Sequence, residues 1–299
     1  MTAASPYERY RPLLTNLAYQ MLGSMSDAED IVQDIFLDYY QLDQNAIQNE
    51  KAFLVRMATN RCLNLLNSAR KRRETYVGNW LPEPDVTYGG SGTPVDPLAY
   101  SERNESVTYA MLVVLERLSG IERAVFLLRE TFAFDYHEIA DIVGKSEANC
   151  RKILSRAKEK LGASAEVPPF RSERADQLAK AFIDAVEMGN TESLIGLLTE
   201  DAVMVSDGGG KVRAAIFPIK GRDRIGAFFA GLSRKGLTAR GYIPAYVNGQ
   251  SGFLLLQDGK PARVMTFRWD SAGEKIEEIY LMMNPDKLTS VTNADAILS

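Results

Sequence analysis

Residues 78 to 102 read GNWLPEPDVTYGGSGTPVDPLAYSE, with four prolines and four glycines. Each proline removes a backbone donor and crowds the turn before it, so the stretch continues neither a helix nor a central strand. A shorter break of the same kind, GASAEVPPFRSE, occupies 162 to 173. The two breaks divide the 299 residues into blocks 1–77, 103–161 and 174–299, joined by linkers 78–102 and 162–173. That length exceeds what one ordinary core accommodates. Hydrophobic residues at 45% and charged ones at 25% supply enough apolar surface for folded blocks.

The side chains on offer exclude several kinds of chemistry. Cys62 and Cys150 stand far apart and His137 is the only histidine. A disulfide framework or zinc site therefore lacks its ligands, and no metal or other cofactor is expected. The opening MTAASPYERYRPLL has no basic segment followed by an apolar run. No later stretch approaches about 18 uninterrupted apolar residues, which predicts a cytoplasmic protein without a membrane span. Basic residues number 35 and acidic ones 39, so any nucleic-acid surface has to be local.

The first block reads as helical. In SDAEDIVQDIFLDYYQ, Ala28, Ile31, Val32, Ile35 and Tyr39 recur at steps of three and four, and Ser26 with Glu29 has the pattern of a capping box. A longer helix through EKAFLVRMATNRCLNLLNSARKRRE ends in the basic run Arg70, Lys71, Arg72 and Arg73. The second block holds four short helices, VTYAMLVVLERL, GIERAVFLLRETFA, DYHEIADIVG and SEANCRKILSRAKEKL. Only GKS at 144 to 146 separates the last two, the spacing of a helix-turn-helix.

In the last of these helices Cys150, Ile153, Leu154, Ala157 and Leu161 make a buried stripe, which leaves Ser146, Asn149, Arg151, Lys152, Ser155 and Arg156 outside. Residues 151 to 160 include five bases and one acid, Glu159. Such a helix suits a major groove, with Asn149, Arg151 and Lys152 near its start able to reach base edges. Lys158 and Lys160 suit phosphates or simply solubilise a helix end, where positive charge also complements the macrodipole.

The third block opens with two helices, ADQLAKAFIDAVEMG and TESLIGLLT, then alternates in period two through DAVMVSDG, ARGYIPAYVN, SGFLLLQDG, PARVMTFRWD and KIEEIYLMM, with the helix GRDRIGAFFAGLS inserted. The pattern predicts an α+β fold in which helices cover one face of a curved antiparallel sheet. Histidine is absent from this block, so a His–Asp pair is excluded. Asp201, Asp207 and Asp258 fall at strand ends or turns, where exposed carboxylates keep loops soluble. No catalytic residue is expected.

AYQMLGSMSDAEDIVQDIFLDYY resembles region 2 of bacterial extracytoplasmic-function sigma factors. LSGIERAVFLLRETFAFDYHEIADIVGKSEANCRKILSRAKEKL resembles their region 4, in the family's order and spacing. The resemblance implies two all-α sigma domains, a region 2 helical bundle and a region 4 helix-turn-helix, that bind core RNA polymerase and promoter DNA. Asp30, Gln33 and Asp34 would meet basic helices of the polymerase. Arg61 and Asn64 through Arg70, Lys71 and Arg72 would open and hold the −10 element, with Phe53 the nearest aromatic for an unstacked base. Ser146, Asn149, Arg151, Lys152 and Arg156 would read the −35 element. A linker of roughly 30 residues spans at most about 100 Å, so the two elements can lie well apart.

The third block resembles the cone-shaped α+β SnoaL-like fold. Three short words match the sigma-factor subgroup with such a domain fused at the C-terminus. They are WLPEP (Trp80, Leu81, Pro82, Glu83, Pro84), DGGGK (Asp207, Gly208, Gly209, Gly210, Lys211) and NPDKL (Asn284, Pro285, Asp286, Lys287, Leu288). The match implies a built-in regulator acting through intramolecular contact between the SnoaL-like domain and the sigma domains. A tether made for flexibility would use Gly and Ser, whereas WLPEP reads as a docking segment held extended by its prolines. Its expected seat is near 208–211 or 284–288, with Glu83 facing a lysine; the alternative is that Trp80 caps the first block's helices. For the whole chain the alternative is a SnoaL-type enzyme, or a sensor of an unknown small ligand, fused to a DNA-binding module.

Overall fold

The structure, a computed structural model, describes residues 5–73, 76–87, 107–162, 173–234, 241–258 and 260–292. Of these, 5–73, 107 and 111–162 form one compact unit, while 76–87, 108–110 and the described part of 173–292 form the other.

The first unit is helical: α1 (Pro6–Leu22), α2 (Met25–Tyr39), α3 (Glu50–Arg73), α4 (Tyr109–Leu115, from Met111 onward), α5 (Gly120–Phe126), α6 (Tyr136–Val143) and α7 (Glu147–Leu161). Gly23 ends α1 in the left-handed region at φ 69°, its N–H reaching the Tyr19 carbonyl. That reversal makes Ser24 the first extended residue, and its hydroxyl accepts the Asp27 N–H at 3.2 Å. The cap of α2 is therefore Ser24 and not Ser26, which already lies inside the helix. The stretch read as one helix over GIERAVFLLRETFA instead widens into a π-helical turn at Leu127–Thr131.

Between α6 and α7 the turn is as short as the spacing requires. Asp135 and Glu138 form a capping box, Gly144 adopts φ 65°, and Ser146 caps α7 by accepting the Asn149 N–H. Cys150, Leu154, Ala157 and Leu161 are buried along one stripe. Residues from the first two blocks share this unit's interior. Arg123, 3% exposed, donates from Nη1 to the Met21 carbonyl at 2.6 Å and to Glu116 at 2.7 Å. A Cβ at Gly120 would sit 3.2 Å from Leu63, so α5 packs closely on α3.

The second unit is α+β. Its strands are β1 (Val86–Thr87), β2 (Leu198–Asp207), β3 (Ile219–Lys220), β4 (Tyr242–Val247), β5 (Gln250–Gln257), β6 (Lys260–Trp269) and β7 (Ile276–Met282), in the order β1-β4-β5-β6-β7-β2-β3. The expectation of an antiparallel sheet needs correction at one pair. β7 closes the meander beside β2 and runs parallel to it. Helices α8 (Glu173–Glu187), α9 (Thr191–Gly196) and α10 (Arg222–Arg234) contribute to a core against one face, where Phe182 lies 5.5 Å from Phe229 and 5.2 Å from Phe267, ring centroid to centroid. A 3₁₀ turn at Pro285–Lys287 and the short α11 (Thr289–Thr292) follow β7. β1 comes from the proline-rich linker, where no strand was expected, and it occupies the sheet edge that tolerates such a sequence.

Candidate nucleic-acid interface and linker clasp

On α7, Asn149, Arg151, Lys152, Ser155 and Arg156 are exposed, as is the cap Ser146. Several charges of this helix are already engaged. Arg151 pairs with Glu147 at 3.0 Å and lies 4.5 Å above the Tyr136 ring centre. Lys158 meets Glu130 at 2.8 Å and Lys160 meets Glu122 at 2.6 Å. Burial pushes the Glu122 carboxyl up, but hydrogen bonds from Lys160 and Ser119 outweigh it and hold the pKa below the ordinary value. Lys152 and Arg156 have no ion pair among the described residues and offer unspent positive charge. Lys158 and Lys160 are thus engaged in ion pairs, whereas among the described residues Lys152 and Arg156 are not.

On α2, Asp30, Gln33 and Asp34 lie exposed on one side. Leu37, three residues beyond Asp34 and 64% exposed, extends that stripe. It escaped the sequence reading, although an apolar residue on a helix's polar face was its signal. Arg61 on α3 bridges to Asp34 at 3.3 Å and also to Asp38, so it faces the acidic side of α2. Asn64 is exposed one turn further along. α3 continues through Arg70, Lys71 and Arg72, whose side chains lie outside the described residues. Phe53, Arg56 and Asn49 line a groove of about 710 Å³ together with Asp43, His137 and Asp141. An aromatic ring, an arginine and an amide residue are among its lining.

The three short words meet in the second unit. Asp207, expected at an exposed strand end, is fully buried instead. Its Oδ1 accepts from the Tyr76 hydroxyl at 2.6 Å and the Gly209 N–H at 2.9 Å, and its Oδ2 from the Leu81 N–H at 2.9 Å and Lys287 Nζ at 2.8 Å. Burial is tolerated because all four partners are donors and one is a cation. Lys287 also donates to the Leu81 carbonyl at 2.6 Å and sits 4.0 Å above the Trp80 ring centre. Asn284 donates to the Tyr76 hydroxyl at 2.9 Å. Burial, with the neighbouring Asp207, drives the Tyr76 phenol above its usual pKa.

Leu81 is 1% exposed and Glu83 7%. Lys287 meets the word at Leu81 and Trp80. Pro82 accepts from the Tyr109 hydroxyl at 2.8 Å, and Asp85 exchanges hydrogen bonds with Asn248 at 3.1 and 2.8 Å. Gly209 adopts φ 61°, and a Cβ there would lie 2.4 Å from the Asn284 side chain. Gly208 is as tightly placed, with a Cβ site 2.2 Å from the Val212 carbonyl. Lys211 closes the loop onto Asp286 at 2.6 Å.

No group of three or more His, Cys, Asp or Glu side chains among the described residues could hold a metal ion, and no described helix is long and apolar enough to cross a membrane. A helix-turn-helix with a basic outer face, a second helical region and an α+β unit define the class: a multidomain DNA-binding protein. The Sigma-70 region 2 family model matches residues 6–72, and that of Sigma-70, region 4, matches residues 109–161. The chain is 36% identical over 256 residues to the ECF RNA polymerase sigma factor SigJ of Mycobacterium tuberculosis, covering 83% of this chain and 79% of the relative. It is 27% identical over 287 residues to the probable ECF RNA polymerase sigma factor SigI of the same organism, covering 95% and 94%. The crystal structure of M. tuberculosis SigJ matches with a TM-score of 0.75 at 31% identity, over 95% of this chain and 97% of that one. The chain belongs to the extracytoplasmic-function (ECF) family of RNA polymerase sigma factors. It is therefore a transcription-initiation factor that binds core RNA polymerase and promoter DNA, and not an enzyme.

Proposed function

We propose that the chain reads two promoter elements with separate domains and is modulated in cis by its α+β unit. In this reading blocks 1–77 and 103–161 are the sigma domains, 78–102 and 162–173 their linkers, and 174–299 the SnoaL-like regulator. Region 4 reads the −35 element from α7, with Ser146, Asn149, Arg151, Lys152 and Arg156 at the DNA. Region 2 holds the −10 element along α3 from Arg61 and Asn64 to Arg70, Lys71 and Arg72, and the groove at Phe53 takes an unpaired base between ring and guanidinium. Asp30, Gln33 and Asp34, with Leu37 as an apolar anchor, face the polymerase in the cytoplasm.

The observation that carries the cis-modulation is the seating of Leu81 and Trp80, from the linker between the sigma domains, on Asp207 and Lys287 of the C-terminal unit. A linker clasped in this way has less freedom to set the separation of regions 2 and 4 than a free tether of equal length. The test is promoter-specific transcription with purified core polymerase, comparing the full chain with its Trp80→Ala variant. Output should change several-fold while polymerase binding persists. Equal output with a demonstrably loosened linker refutes the modulation.

A further inference from the structure

The helix-covered face of the sheet contains a cavity of about 30 Å³ between α8, α10 and the strands. Its wall is mostly hydrocarbon, including Phe229, Leu232 and Leu255, and it carries the three polar residues Arg263, Glu187 and Tyr242. Tyr242 is already committed, donating to Asp184 at 3.0 Å, and Asp184 in turn accepts from Lys180. Glu187 is exposed to solvent. Arg263 differs from both. It stands on β6 opposite Leu255 and is partly buried, and its guanidinium has no hydrogen bond or ion pair among the described residues. Burial alone pushes its pKa down from the usual arginine value. An arginine kept this way on an apolar wall loses hydration without gaining a counter-charge.

We propose that this cavity binds a short-chain monocarboxylate, its carboxylate held by the Arg263 fork and its alkyl end against Phe229, Leu232 and Leu255. The planar guanidinium matches a carboxylate through two parallel hydrogen bonds, which a spherical anion cannot reproduce. Size limits the tail. One water needs about 10–15 Å³ measured this way, so the cavity holds two or three heavy atoms beyond the rim. Acetate, propionate and butyrate fit by this count, and hexanoate does not. This names a ligand class for the sensor alternative, and it stands or falls apart from the linker clasp because binding is read on the free chain.

The experiment is isothermal titration of the full chain with sodium acetate, propionate, butyrate and hexanoate at constant ionic strength, with sodium chloride as a spherical-anion control. The expected result is saturable one-site binding of acetate or propionate that weakens toward hexanoate. Arg263→Met should weaken it about 10- to 100-fold, and Glu187→Gln, which removes the nearby negative charge, should tighten it slightly. Arg263→Lys keeps the charge but not the fork and should weaken binding about tenfold, which serves if the methionine variant does not fold. No saturable binding of acetate or propionate, equal binding of chloride, or unchanged affinity in a folded Arg263 variant would each overturn the proposal.

Discussion

Replacing Asp207 by asparagine tests the clasp with almost no change of shape. The carboxylate accepts four hydrogen bonds, two at each oxygen, and is 0% exposed. An amide keeps one acceptor. Whichever way it turns, its NH₂ faces either the Tyr76 hydroxyl and Gly209 N–H or the Leu81 N–H and Lys287. In both orientations Lys287, 14% exposed, loses its anion. Breaking a buried pair from one side costs about 3–5 kcal/mol, and the partial exposure of Lys287 argues for the lower end, about 3 kcal/mol. In a unit of this size that corresponds to a fall in Tm of roughly 6–12 °C. The assay is direct because the chain's two tryptophans, Trp80 and Trp269, both belong to the second unit, so tryptophan fluorescence follows its melting selectively. A Lys287→Met partner variant completes a double-mutant cycle whose coupling should exceed about 1 kcal/mol. An Asp207→Asn chain that melts within about 2 °C of the parent, less than about 1 kcal/mol of change, would refute the clasp as a stabilising element.

Other outcomes follow from the same geometry. Gly209→Ala puts a Cβ 2.4 Å from Asn284 at φ 61° and should destabilise the same unit by more than about 1 kcal/mol, read by the same fluorescence melt. Lys152→Ala and Arg156→Ala should each weaken promoter binding; at a base edge the loss is about 1–3 kcal/mol with relaxed specificity, and at a phosphate it is uniform across sequences with a salt slope smaller by about 1. Because the folded pKa of Glu122 is depressed, its contribution is present above the unfolded carboxyl value and is lost as pH falls through the folded one. Lys160→Ala should therefore flatten the acid loss of helical-unit stability measured by circular dichroism, and an unchanged profile would remove Glu122 from the account.

The helical half was legible because its signals are local. Asp135 with Glu138, Gly144 and Ser146 act within a few residues of themselves, and the stripe from Cys150 to Leu161 is a matter of period. Ser26 misled because the left-handed Gly23 decides which serine is first extended, a conformational fact invisible in a capping pattern. In the other half, strand existence followed from alternation, but pairing did not. The parallel contact of β2 with β7 and the edge strand Val86–Thr87 depend on segments far away in sequence. Asp207 was misjudged for the same reason. Its type and place suggested a soluble strand end, while its partners at Tyr76, Leu81 and Lys287 lie 131, 126 and 80 residues away. Arg263, an ordinary strand residue by period, becomes notable only because its guanidinium has no ion pair among the described residues.

The clasp also sets an order of events during synthesis. Leu81 and Lys287, joined by a hydrogen bond, are 206 residues apart. At about 5–20 residues per second, roughly 10–40 s pass between the emergence of one and the arrival of the other. The segments that form regions 2 and 4 leave the ribosome well before the residue that holds their linker exists. Each newborn molecule thus passes through an interval with its linker unclasped, and translation speed between Leu81 and Lys287 sets how long that interval lasts.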